Sequence, residues 1–441
     1  MKIFASWALT TPSTLLANVV VHAESGRISE VVDGHPRDAD YVVDFLTPGY
    51  ANCHSHAFHR GLRGRMMDTH HDFWSWRRAM YAFADRLDPD RYQAFATLVF
   101  REMVLAGFTS VGEFHYLHRD RNGVSYSDPN AMGVALIEAA HEAGIRLGLI
   151  DVCYLYGGLD GGGYRPLEGV QRRFGDQDVD GYLDRVGQLV ESDRVRIVRG
   201  AHSLRAVTVD ELARIVGVNG SRPWHLHLME QPKEVEALQG HYGERPLALL
   251  AAQGMLSSTT TLVHLNQLSY RNDQAEAEIL ANTGAVTCVC PTTEENLADG
   301  LSVGGYLLTH GARVSIGTDQ HVSIDPYVET TRVDAHERLR TLDRSSIATS
   351  SLWSTLFGHD TIGFSGAGRL KPGALADMVG IDLEEPGIAG ADPYEVLRVG
   401  TRASIAKVWV GGELVVTDAA RERRALGVQL RSMIETLWRQ Q

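Results

Sequence analysis

The feature that most limits the fold is a rhythm. From about residue 89 a helical pattern is followed by a short apolar strand, seven times over. Helices are expected at 91–106, 130–143, 179–191, 209–216, 246–252, 275–282 and 303–310. The strands that follow them fall at 108–115, 145–152, 195–201, 224–228, 260–264, 285–289 and 312–318. Gly107, Gly144, Gly284 and Gly311 stand where a helix has to stop, each able to take the left-handed conformation of a C-cap. Helix alternating with strand means parallel strands joined by crossovers. An earlier apolar run, 41–46, leads through Pro48-Gly49 into Tyr50-Ala51-Asn52-Cys53-His54-Ser55-His56. Counting the strand that carries His54 gives eight, the number that closes a (β/α)8 TIM-type barrel. An open doubly wound sheet would instead leave its first and eighth strands far apart.

The two ends of the chain read differently. Short strands are expected at 15–22, 27–32 and 41–46, and again within 369–382 and 404–417, the last as a hairpin. These pieces are expected to join in a small β-sandwich domain built from both termini, residues 1–46 with 370–420. The barrel then takes 47–369, and a C-terminal helix takes 421–441. A chain of 441 residues accommodates a barrel with such an appendage. The glycine-rich run Gly157–Gly163 is a loop and not a phosphate cradle, since no helix-opening Gly-Lys-Ser/Thr follows it.

Charge narrows the partners. Acidic residues number 55 against 42 basic, a net charge of −13, which argues against nucleic acid and anionic membrane surfaces. No apolar run approaches the ~18 residues of a membrane span. The run after Lys2 is broken by Thr10-Thr11-Pro12-Ser13-Thr14, so no signal peptide is expected. Cys53, Cys153, Cys288 and Cys290 lie in apolar runs without Cys-x-x-Cys spacing, which fits a reducing, cytoplasmic setting.

The chemistry is concentrated at strand ends. Residues two apart on a strand share a face, so His54 and His56 can chelate one ion. Three more strand-like runs end in a ligand or acid–base group. Trp224-His225-Leu226-His227-Leu228 is followed by Glu230, the run 260–263 by His264, and the run 314–318 by Asp319. Barrel enzymes place their chemistry at the C-terminal ends of strands.

This arrangement resembles the amidohydrolase superfamily over nearly the whole chain. The resemblance implies one divalent metal ion held by His54, His56 and His227, with Asp319 completing the set. Two-metal members carry a carboxylated Lys on the fourth strand. The four Lys here (2, 233, 371 and 407) all lie away from 195–201, so the resemblance points to the mononuclear, deaminase-like branch. Zinc is the default for three His and a carboxylate, with iron as the alternative. Glu230 would carry the proton from water to the leaving nitrogen, His264 would donate to the developing charge, and Asp319 would orient the water as well as bind metal.

Longer motifs resemble the N-formimino-L-glutamate deiminases of L-histidine degradation. They are Phe73-Trp74-Ser75-Trp76-Arg77, Gly112-Glu113-Phe114-His115-Tyr116, His202-Ser203-Leu204-Arg205-Ala206-Val207, His227-Leu228-Met229-Glu230-Gln231, the run 290–300, and Gly317-Thr318-Asp319-Gln320-His321. The resemblance implies hydrolysis of a formimino C=NH to formyl with release of ammonia. It assigns Arg77, Tyr116, His202 and Arg205 to the two carboxylates of a small anionic substrate. His59 stands where some relatives place a Gln, and an imidazole still donates one bond. His264 is followed by Leu265-Asn266-Gln267 and not by a second His. His70, His71, His115, His118, His225 and His321 have no assigned role, although His321 is close to Asp319 in sequence. Arg205 has a second possible role, pairing with an acid such as Asp210. The competing readings are a deaminase of another nucleobase or amidine compound, and a barrel kept as an interaction protein. A cytoplasmic homodimer is expected.

Overall fold

The computed structural model describes residues 1–65, 73–269 and 274–439. Eight parallel strands form the barrel: β1 (Tyr50–Ser55), β2 (Phe108–His115), β3 (Arg146–Cys153), β4 (Val195–Ser203), β5 (Trp224–Leu228), β6 (Thr260–His264), β7 (Val286–Val289) and β8 (Arg313–Ile316). They pair in that order. The seam between β8 and β1 closes through a bridge between Ser55 and Asp319. There the N–H groups of Thr318 and Asp319 both donate to the His54 carbonyl, at 2.9 and 3.0 Å, and the His56 N–H donates to the Asp319 carbonyl at 3.1 Å. Only a glycine fits at 317. A Cβ there would lie 2.6 Å from the His54 Cβ and 2.8 Å from its carbonyl oxygen.

Local signals explain the helices. In Pro89–Val104 the Asp88 side chain accepts from the Arg91 N–H at 2.9 Å, and Pro89 occupies the first turn, where no N–H is needed. Tyr92, Phe95, Ala96, Val99, Phe100 and Met103 form its buried stripe. The helix expected at 179–191 runs only over Val179–Val186. Gly187 caps it, and Ser192 pairs back with Val195 in an isolated bridge at the entry to β4. Two helices after β8, Pro326–Thr341 and Thr349–Thr355, were not anticipated.

Both termini build one seven-stranded sheet. Its order is Glu413–Val416, Ile405–Val410, Met378–Ile381, Tyr41–Pro48, Lys2–Thr11, Thr14–Glu24, Arg27–Asp33. The strand Lys2–Thr11, which the sequence did not announce, lies inside this sheet, parallel to Tyr41–Pro48. The sheet curls over itself like a sandwich. Arg27 bridges to Leu375, and the Ile28 N–H donates to the Ala374 carbonyl at 2.8 Å. Ile3, Ala5, Val21, Val43, Met378 and Trp409 fill the space between. Strand alternation turns Val408 and Val410 the other way, into the core shared with the barrel. Arg146, at the start of β3, pins the two parts together. It donates to both oxygens of Asp377, at 2.7 and 3.0 Å. The final helix is Ala419–Arg439. Among the described residues, no helix is long and apolar enough to cross a membrane.

Candidate active site

The residues singled out at strand ends converge at the C-terminal mouth of the barrel. His54 comes from β1, His227 from β5 and His264 from the end of β6. Asp319 forms, and His56 directly follows, the bridge that closes the seam. The His54 and His227 Nε2 atoms are 3.0 Å apart, and Asp319 Oδ1 lies 3.3 Å from His56 Nε2 and 3.7 Å from His54 Nε2. Two ligands at ~2.05 Å on a tetrahedral ion stand ~3.3 Å from each other. The donor set therefore fits a single small divalent ion.

The imidazoles are prepared for that role. The His56 Nδ1–H donates to the Phe114 carbonyl at 2.9 Å, and the His227 Nδ1–H donates to the His202 carbonyl at 3.0 Å. A carbonyl can only accept, so these bonds place the proton on Nδ1 and leave the Nε2 lone pair for a metal. Burial lowers the pKa of His54 and His227 well below the usual value. Burial, with His54 beside it, brings His56 to about 3. All three stay neutral, as ligands must.

His264 differs. Burial opposes its charging, but Glu230, Glu294 and Asp319 around it outweigh burial and raise its pKa to about 10. Its Nε2 lies 3.9 Å from Glu230 Oε1 and 3.9 Å from Asp319 Oδ2, and its Nδ1 lies 3.6 Å from Glu294 Oε1. A charged imidazole at this position is a hydrogen-bond donor. Backbone strain gathers here too. Met229, His264, Leu265, Asp319 and His321 all have positive φ, between 42° and 78°. Non-glycine residues seldom hold that conformation unless their surroundings impose it, and such positions cluster at functional sites.

The residues expected to meet substrate surround this group. Tyr116 Oη and His59 Nε2 are 3.0 Å apart, and the His59 ring lies 4.6 Å from that of His56. The His202 ring is 5.5 Å from Tyr116, 4.6 Å from Tyr154 and 5.1 Å from His227. Arg77 donates to Tyr81 Oη at 2.6 Å and packs over its ring. Its charge is felt at Tyr116, Tyr154 and His202. Arg205 lies not with Asp210 but between two other carboxylates. Its Nη2 is 3.6 Å from Glu230 Oε2 and 3.8 Å from Glu234 Oε2.

Sequence reasoning missed several buried acids. Glu294 accepts from the Cys290 N–H at 2.8 Å and backs His264. Glu113 accepts from Ser55 Oγ at 2.5 Å and the Ala57 N–H at 2.6 Å, bracketing His56, and burial raises its pKa to about 8. Asp299 is pushed up to about 9 by burial and by Glu230, and it accepts from Gln231. Glu113, on β2, and Glu294, in the short helix Pro291–Leu297 after β7, both lie within the motifs named above, which was the available signal. His321 contacts Thr318 at 2.9 Å and Ser55 at 3.2 Å, bracing the seam. His225 faces the Thr361 carbonyl instead. His70 and His71 lie outside the described residues.

A second cluster of potential ligands, His115, His118 and Asp151, is of another kind. The guanidinium of Arg185 already fills it. It donates to both oxygens of Asp151 at 2.8 Å, to Asp176 at 2.9 and 3.1 Å, and contacts His118 at 3.2 Å. A fixed cation takes the place an ion would need.

The comparisons agree with this geometry. The Amidohydrolase family model matches residues 45–415. A formimidoylglutamate deiminase of Pseudomonas aeruginosa is 33% identical, covering 89% of this chain and 90% of the relative. A 5-methylthioadenosine/S-adenosylhomocysteine deaminase of Teredinibacter turnerae is 27% identical, covering 93% and 91%. The crystal structure of an amidohydrolase from Brucella melitensis superposes with a TM-score of 0.85 at 29% identity, over 98% of this chain and 99% of that one. With a barrel of this form and a His and Asp cluster at its mouth, the chain belongs to the amidohydrolase family, among its hydrolytic deaminases.

Proposed function

We propose that the chain hydrolyses N-formimino-L-glutamate to N-formyl-L-glutamate and ammonia, a step of L-histidine degradation. The observation that carries this reading is the pairing of two guanidinium groups, Arg77 and Arg205, with Tyr116 and His202 beside the His and Asp cluster. A dicarboxylate requires fixed cations and donors of this kind, and guanidinium matches carboxylate in two-point geometry. The 33% identity to a deiminase of this specificity supports it.

His54, His56, His227 and Asp319 would hold one divalent ion, with zinc as the first candidate. When bound, the ion supplies Lewis acidity and a nucleophilic water at neutral pH. The chain's own residues do the rest. Glu230 takes one proton of the attacking water and delivers it to the imino nitrogen, and the second, from the hydroxyl so formed, follows by the same route as the C–N bond breaks, so that ammonia leaves and the formyl C=O forms. His264, held cationic by its carboxylate neighbours, donates to the charge that develops on the attacked centre. Asp319 orients the water. Arg77, Arg205, Tyr116, His202 and His59 fix the two carboxylates, so that only the C=NH end reaches Glu230.

The test is ammonia release by the purified zinc form from N-formimino-L-glutamate, N-formimino-L-aspartate and guanine. A preference for the first is expected. Turnover of guanine with neither formimino acid accepted would favour a nucleobase deaminase, a reading to which the adenosine-type relative gives weight. Release from none of the three would favour the non-catalytic alternative.

A further inference from the structure

We infer that Glu234 is a positioning residue, which holds the Glu230 carboxylate in place through the peptide that carries it and through Arg205. The inference rests on reading Glu230 as the proton carrier. β5 ends at Leu228, and Met229 then takes a φ of +55°. That turn brings two consecutive amides onto one partner. The Met229 N–H donates to Glu234 Oε1 at 3.3 Å, and the Glu230 N–H donates to Oε2 at 3.1 Å. Successive N–H groups in such a turn form a concave site for an anion, and here the anion is the chain's own carboxylate. Glu234 is fully buried in the first turn of the helix Pro232–Tyr242, so this partner is rigid. On the other side, Gln267 Nε2 donates to the Glu230 carbonyl at 3.1 Å. The backbone of Glu230 is thus gripped from both directions.

The side chain is held by charge. Arg205 Nη2 stands between Glu230 Oε2 at 3.6 Å and Glu234 Oε2 at 3.8 Å. With two carboxylates sharing one guanidinium, Glu230 stays beside His264 and is not drawn fully onto Arg205. Removing the charge of Glu234 leaves Arg205 with Glu230 as its remaining partner in this group. The pair tightens, and the carboxylate moves away from the water whose proton it takes. A plain helix-capping role for Glu234 would have no such effect on Arg205.

The experiment compares wild type with Glu234→Gln, Arg205→Met and the double variant. Kinetics use the metal-loaded proteins with formamidine, which has no carboxylate, and with N-formimino-L-glutamate. Amide exchange by mass spectrometry over residues 227–231 uses the metal-free proteins. Glu234→Gln is expected to lower kcat by ~100-fold on both substrates, the usual cost of an ~1 Å misplacement. KM for formamidine and metal content stay close to wild type, and the thermal midpoint falls by no more than ~6 °C. The Met229 and Glu230 amides exchange faster. Adding Arg205→Met to Glu234→Gln raises kcat on formamidine above that of Glu234→Gln alone, because the competing cation is gone. A formamidine kcat within about threefold of wild type overturns the proposal, as does a loss that Arg205→Met fails to relieve. If wild-type protein hydrolyses neither compound, the proposed activity fails, and the exchange rates alone decide whether Glu234 holds the 229–230 peptide.

Discussion

Replacing Arg185 by Met separates the two readings of the second His and Asp cluster. In the native protein burial pushes the Asp151 carboxyl up, but Arg185 outweighs burial and brings it down to about 2. The same guanidinium serves Asp176, and both acids are largely removed from water. Arg185→Met keeps the volume and deletes the cation, which leaves two buried carboxylates without it. Removing one partner of a buried pair costs ~3–5 kcal/mol. At ~2 °C per kcal/mol for a large domain, the thermal midpoint should fall by ~6–10 °C near pH 7. The deficit should also depend on pH. The native Asp151 is depressed, so its contribution is complete above the unfolded value of ~3.9 and fades only as pH falls towards 2. Between pH 8 and 5 the Asp151 contribution to wild-type stability is therefore flat. The variant's unpaired carboxyls are raised, bind protons in the folded state as pH falls, and narrow the gap. Calorimetry of both proteins at pH 5, 6, 7 and 8 measures this, together with metal content. A midpoint change near zero, with two ions per chain held by both proteins, would refute the reasoning and make the cluster a metal site.

Other outcomes follow from the same geometry. Metal analysis of the purified protein should give about one divalent ion per chain, and His56→Ala should lose it; two tightly held ions would contradict the single-ion reading. Glu230→Gln should keep its metal yet lose ~100- to 10,000-fold in kcat, and a loss below about tenfold would place the proton elsewhere. Burial raises the Glu329 carboxyl from 4.5 to about 8 against its bonds from Thr292. The folded state therefore holds a proton that the unfolded chain releases, and stability falls as pH rises from about 4.5 to about 8. Glu329→Gln should reduce that slope in urea titrations, the raised Glu113 and Asp299 carboxyls supplying the remainder, and an unchanged slope would assign it wholly to other groups.

What could be read from the sequence was whatever has a local cause. Gly144 and Gly284 end helices because each is left-handed, at φ 76° and 72°, and the strands after them follow. The His54, His56, His227, His264 and Asp319 group was legible because a parallel barrel brings all strand ends to one face, whatever the loops do. The strand Lys2–Thr11 was hidden because Thr10-Thr11-Pro12 reads as an interruption where it is in fact the tight turn to Thr14–Glu24, and because its other partner, Tyr41–Pro48, is distant. Glu113, Glu234 and Glu294 were missed for a related reason. A glutamate is usually exposed, so its burial appears only once neighbouring strands close around it. Arg205 lies two residues past the end of β4, and its carboxylate partners come from the loop and helix after β5, not from Asp210 in the helix that follows it.

The seam between β1 and β8 sets an order of events during synthesis. His54 and His56 leave the ribosome early, and Asp319, whose carbonyl and N–H complete the closure with them, leaves late. At ~5–20 residues per second, the interval is on the order of tens of seconds. Until then the nascent chain offers an ion two imidazoles, later three, but no closed ring to hold them in register. A chain broken off before Asp319 would lack both the proposed fourth ligand and the bridge that aligns His54 and His56. Stable capture of the ion would therefore come only after the barrel is complete, so that the ion marks finished molecules.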